Sequence, residues 1–151
     1  MKQKNYKIIL GLALFVLMLC SSSIARAQDA NLLILSDQET RYPLGLHLEY
    51  LEDPGGTLTI EQVTQPAVSA RFTPNLAEIP NLGITNSAYW FRFPVRNQTG
   101  QESWMLAFSN ARVGLIDLYV SNADGSGWVH QQAGTYLPAA MWAYAFPHFT
   151  F

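Results

Sequence analysis

From residue 44 onward the chain is written in short runs whose apolar and polar side chains alternate with period two. Each run is closed by Gly, Pro, Asn or Asp, roughly every 8 to 15 residues. Helical periodicity is scarce over the same stretch. Side chains that alternate this way leave opposite faces of a strand, so one face of each strand is offered to a core and the other to water. A series of such strands joined by turns predicts an all-β fold, a sandwich or a barrel.

The strands can be placed in order. LLIL at 32–35 predicts a short edge strand within a lead-in spanning 28–43. LGLHLEYLE sets Leu46, Leu48 and Tyr50 against His47, Glu49 and Leu51, and Asp53-Pro54-Gly55-Gly56 turns the chain. Thr59 followed by Gln62 fits a capping box, predicting one helical turn that ends before Pro66. VSARFTP predicts a short strand and NLAEIPNLG a Pro-broken loop. In NSAYWFRFPVRN, a strand assigns Tyr89, Phe91, Phe93 and Val95 to one face, expected to be the core. Trp90, Arg92 and Arg96 fall on the other, with Pro94 arguing for an edge or a bulge. SWMLAFS and VGLIDLYVS are further strands, and Asn122 to Gly127 predicts a hairpin loop returning through GWVHQQAG. Trp142, Tyr144 and Phe146 alternate near an aromatic end that stops at Phe151, an ending that predicts a larger protein of which this is a part.

The first residues follow a different logic. Lys2, Lys4 and Lys7 precede an apolar run from Ile8 to Cys20, and small residues lead to Ala25-Arg26-Ala27. That is the layout of a secretory signal peptide over 1–27, with cleavage expected after Ala27 and an uncleaved N-terminal anchor as the alternative. The run is short of the roughly 20 residues a lasting membrane span needs. Leu17-Met18-Leu19 lacks the small residue that precedes a lipidated cysteine, so Cys20 is read as part of the apolar run. Beyond residue 27 there is no Lys and no Cys, and five Arg face eleven acids, a net charge of −6. This balance argues against nucleic acid as a partner, and the lack of thiols excludes disulfide staples and cysteine chemistry.

The pieces GITNSAYWFRF and LYVSNADGSGW, set in the series LEYLEDPGGTLTIEQV, ARFTP, NLGITNSAYWFRFPVRN and IDLYVSNADGSGWVHQQAG, carry a family resemblance. Over about residues 44–151 the chain resembles the extracellular sensory domain of the 7TMR-DISM bacterial receptors, in its second type, 7TMR-DISMED2. The resemblance implies a jelly-roll-like antiparallel β-sandwich, similar to carbohydrate-binding modules, exported to the periplasm. It also implies a ligand-sensing role, with a small molecule such as a carbohydrate as ligand. In such receptors the domain precedes a seven-transmembrane bundle and a cytoplasmic output domain. This sequence carries neither, which leaves a fragment and a stand-alone exported copy as alternatives.

Reactive constellations are missing from the sequence. His47, His130 and His148 stand apart without metal-ligand spacing, and there is no Gly-x-Ser-x-Gly elbow. Glu49, Glu52 and Asp53 read as a solvated strand end, Asn122, Asp124 and Ser126 as a hairpin turn rather than a Ca²⁺ loop, and Asn97-Gln98-Thr99 as a turn. No cofactor and no catalytic residue is assigned, and the chain is read as non-enzymatic. Aromatics make up 13% of it, more than one sheet face can hide. An aromatic on an outer face beside Arg or Asp is a combination that suits sugar recognition. The ligand-binding candidates are therefore Trp90, Arg92 and Arg96 on one strand and Asp117 and Tyr119 on another, with a structural Trp–Arg stack as the alternative for the first group. Two other functions stay open: an interaction module docking on a membrane partner, and a secreted carbohydrate-binding module.

Overall fold

The computed structural model describes residues 31–110, 112–138 and 149–150. The signal peptide, Cys20, Trp142, Tyr144, Phe146 and His148 lie outside the described residues. The fold is all-β with a few short helical turns, and it divides into two compact units, one ending at Thr99 and the other beginning at Gly100.

In the first unit, β1 (Leu33–Leu35) runs parallel to β5 (Val95–Asn97), with Leu33 and Leu35 buried and Ile34 outward. A three-stranded antiparallel sheet has β2 (Glu49–Asp53) at its centre, between β3 (Thr73–Pro74) and β4 (Ala88–Arg92). The predicted capping box is present. The Thr59 amide donates to Gln62 Oε1 at 2.9 Å, the Gln62 amide donates to Thr59 Oγ1, and α1 (Ile60–Val63) buries Val63.

Several predicted strands differ in extent. The start of LGLHLEYLE is a 3₁₀ turn over Gly45–His47, so that strand begins only at Glu49. Most of VSARFTP is not strand: α2 (Pro66–Ser69) takes its first part, because Pro66 sits at the first helical position, where a missing N–H costs nothing. The long strand through NSAYWFRFPVRN is two strands. Pro94 has no N–H to give a ladder, but its carbonyl accepts from the Leu33 amide at 2.9 Å, passing the chain from the β2 sheet to β1.

The expected core face of that segment is also reversed. Residues paired across β2 and β4 share a face, and Leu51 lies opposite Trp90. Leu51 and Asp53 are each only 5% exposed, so the face bearing Trp90 is the inner one. The other face carries Tyr50, Tyr89 and Phe91, whose rings pair at 6.5 and 6.4 Å with Phe91 exposed; Val95, on β5, is exposed as well. The reason lies in β2. Its alternation places both Leu51 and Asp53 inward, and sheet pairing imposes that choice on β4.

Asp53 is therefore not the solvated strand-end acid its neighbours suggest. Its Oδ2 accepts from the Leu58 amide at 2.9 Å, and further donors come from the Thr57 and Gly56 amides and the Trp90 indole. Burial pushes its pKa up, but these donors outweigh burial and hold the carboxyl below its ordinary value. A second buried polar group, Asn75, donates to the carbonyls of Gly45 (2.7 Å) and Ala77 (2.5 Å). The backbone of Ala77 and Glu78 lies so close to Gly45 that no Cβ fits there.

The second unit pairs β6 (Ala107–Phe108) with β9 (Phe149–Thr150), so SWMLAFS supplies only two strand residues. It also contains the predicted hairpin, β7 (Ile116–Ser121) against β8 (Trp128–Ala133), in register over six pairs. Its loop is closed by Asn122 N–H to the Gly127 carbonyl at 2.9 Å and Gly125 N–H to the Asn122 carbonyl at 3.0 Å, with Gly125 at φ 71°.

Two outcomes follow for the first unit. Asp53→Asn is expected to lower unfolding stability by about 2 kcal/mol in a urea titration, since it removes the charge to which four donors point. Because the folded pKa lies below the unfolded one, the wild-type carboxylate's contribution is present above about pH 4 and is lost as pH falls through the folded value. The Asn variant should lose that part of the acid-side slope, and an unchanged slope would show that Asp53 is not its source. Gly45→Ala should also destabilise, by about 1–3 kcal/mol in the same titration, because the loop backbone must move to admit a methyl group.

Candidate ligand-binding site

The first group of candidate residues is held by the fold. The Trp90 indole N–H donates to the buried Asp53 carboxylate. Arg92 Nε meets Glu49 Oε2 at 2.6 Å, directly across the ladder, while Nη1 donates to Ser69 Oγ at 2.5 Å. The same guanidinium lies 4.1 Å from the centroid of the Phe72 ring. This cation–π and ion-pair arrangement joins β2, β4 and the end of α2. Arg96 does not share a face with them, since it sits on β5 opposite Ile34 in another sheet. Trp90, Arg92 and Arg96 therefore do not form the single platform that strand alternation predicts.

The second group is assembled differently. Asp117 and Tyr119 share a face of the β7–β8 hairpin, and the register brings Gln132 opposite Asp117 and His130 opposite Tyr119. Asp117 Oδ1 accepts from His130 Nε2 at 2.7 Å and from Gln132 Nε2 at 2.8 Å. The Tyr119 and His130 rings stack with centroids 4.5 Å apart and planes 7° from parallel. Trp128 follows at the next position of the same alternation, opposite Ser121, and is 42% exposed. The Asp117 and His130 side chains are about a third and two fifths exposed, so the cluster is open to solvent.

His130, Gln132 and Trp128 were not among the candidates read from sequence. The signal that finds them is the hairpin loop itself. Once Asn122–Gly127 is taken as the loop, Ser121 must face Trp128, and counting outward in twos pairs Tyr119 with His130 and Asp117 with Gln132. Chemically the face offers a carboxylate fixed by two neutral or cationic donors, a stacked pair of flat rings and an exposed indole. It can hydrogen-bond a ligand's donors and stack against a ring or an apolar edge.

Other polar groups are accounted for locally. In the hairpin loop, Asp124 Oδ1 accepts from the Ser126 amide at 2.9 Å, and the Ser126 hydroxyl and amide hold its carboxyl below the ordinary value. Asn122 Nδ2 donates to Ser126 Oγ at 3.1 Å, so Asn122, Asp124 and Ser126 bond to one another. Asn97 Oδ1 accepts from the Thr99 amide and hydroxyl, a turn as expected. Among the described residues no group of three or more His, Cys, Asp or Glu is placed to hold a metal ion.

In comparison with known proteins, the model of the family 7TMR-DISM extracellular 2 matches residues 45–151. No curated protein and no solved structure matches the chain.

If Arg92 is structural, Arg92→Ala should lower stability by about 1 kcal/mol in urea unfolding. It should leave ligand responses of the β7–β8 face unchanged in a titration followed by NMR. A loss of ligand response without a loss of stability would return Arg92 to the binding site.

Proposed function

The chain belongs to the 7TMR-DISM extracellular 2 family, and we propose that it is the periplasmic ligand-sensing domain of a 7TMR-DISM-type signal-transduction receptor. The family match, which runs over residues 45–151, carries this reading. In it the domain is non-catalytic and binds a small molecule such as a carbohydrate. The binding event is passed to a seven-transmembrane bundle and a cytoplasmic output domain. No helix among the described residues is long and apolar enough to cross a membrane.

The β7–β8 face supports a sensing role because it is exposed and its polar atoms are already oriented. Asp117 is held by His130 and Gln132, so a ligand meets a carboxylate whose rotamer is fixed, and less side-chain entropy is lost on binding. Trp128 supplies an exposed flat surface on which a sugar ring stacks, beside the Tyr119–His130 ring pair.

A second reading, an interaction module docking on a membrane partner, is favoured by one observation. The loop after β3 presents Leu76, Ile79 and Ile84 to solvent while its base is pinned by Asn75. Exposed aliphatics on an anchored loop suit a protein contact.

Thermal unfolding against a panel of sugars separates the two. A bound sugar at about 100 times its Kd stabilises the folded state by about 2.7 kcal/mol, a rise of several degrees in Tm, and Tyr119→Ala should remove the rise. A flat response across neutral, amino and acidic sugars would favour the interaction reading instead.

A further inference from the structure

The charge and donor inventory of the β7–β8 face selects among ligands. No Lys or Arg occurs between Ile116 and Ala133, whereas Asp117 and Asp124 do. On the face itself, His130 Nε2 and Gln132 Nε2 both donate to one oxygen of Asp117, Oδ1. Among the described residues, no hydrogen bond reaches Asp117 Oδ2. Two side-chain donors are thus already committed, and the carboxylate's second oxygen keeps its acceptor capacity. A ligand hydroxyl serves best where donors and acceptors alternate around it. A ligand carboxylate would meet a carboxylate with no Lys or Arg on the hairpin to offset it, a repulsive pairing.

An ammonium group matches what the face offers. It brings several N–H donors and no acceptor, it forms a charge-assisted hydrogen bond with a carboxylate, and it is attracted to the π-faces of Trp and Tyr. Trp128 is exposed on the same alternation as His130, and the Tyr119–His130 stack borders Asp117 through the His130 bond. The remainder of a six-membered sugar ring is the right kind of partner for those flat surfaces. Taking the sensing reading as its basis, we propose that the β7–β8 face binds an amino sugar. The ammonium would lie at Asp117 and the ring against Trp128 or the Tyr119–His130 stack, so a free amine is preferred over neutral, N-acylated and acidic sugars.

The test is an NMR titration of the purified chain at neutral pH with glucosamine, N-acetylglucosamine, glucose and glucuronate, following the backbone amides of residues 116–133. Glucosamine is expected to shift those resonances with a Kd about tenfold below that of glucose or N-acetylglucosamine, and glucuronate to be weakest. Asp117→Asn should erase the preference while the hairpin resonances stay dispersed. Should that variant unfold the hairpin, added salt provides the same readout on the wild type: the glucosamine preference must shrink as the ammonium–carboxylate contact is screened. Equal binding of glucose and glucosamine at these residues would overturn the amine preference and leave the sensing reading standing. No shift of the hairpin by any sugar would overturn the site, and with a flat thermal panel it would remove sugar sensing as well.

Discussion

The buried carboxylate of Asp53 sets the order of the first unit. Its acceptor sites draw in the amides of the turn that follows β2 and the indole of Trp90 from β4. A charge taken out of water is tolerated only when it is paired or fully hydrogen-bonded. Here the donors come from one neighbouring strand and one local turn, so satisfying the acid fixes both the turn geometry and which face of β4 is inward. Much else depends on that choice. With Trp90 inward, Arg92 lies on the same side, close to Glu49, Ser69 and Phe72, and Tyr89 and Phe91 are left on the opposite, more open face.

The second unit is organised by register rather than by burial. The hairpin loop fixes which residues oppose one another, and opposite residues then interact at van der Waals and hydrogen-bond distance. Tyr119 against His130 becomes a ring stack, and Asp117 against Gln132 becomes an amide–carboxylate contact, joined diagonally by His130. The tight approach where the hairpin ends, at Gly134 against the Gly114 backbone, keeps the strands' far ends together. The result is an exposed polar and aromatic face whose parts hold one another in place. This is the property expected of a sensory surface in a family of receptor extracellular domains.

Features specified locally were legible in the sequence. The Thr59–Gln62 capping box, the Asp53–Gly56 turn, the Asn122–Gly127 hairpin and the edge strand at Leu33–Leu35 each depend on residues a few positions apart. Features that depend on a partner strand were not. Alternation showed that Tyr89 and Trp90 face opposite ways, but not which of them faces inward. It ran straight through Phe93-Pro94, where the chain changes sheets. It also placed Arg96 beside Arg92, although their strands pair with different neighbours. The helical turn at Pro66–Ser69 went unread because Val68 and Phe72 look strand-like in isolation, while the proline at the first position favours a helix start.

By itself, then, the sequence determined an all-β chain, its turns, its acidic character and its family. The first three follow from composition or from short-range spacing, which water and backbone sterics read directly, and the family from the resemblance its motifs carry. Only the tertiary structure decided that Trp90 shares the inner face with Leu51 and Asp53, that Arg92 pairs with Glu49, and that Arg96 lies in another sheet. Those outcomes turn on which strands pair and in what register. Glu49 and Arg92, 43 positions apart, must meet before their ion pair forms, and no local rule of side-chain alternation carries that information.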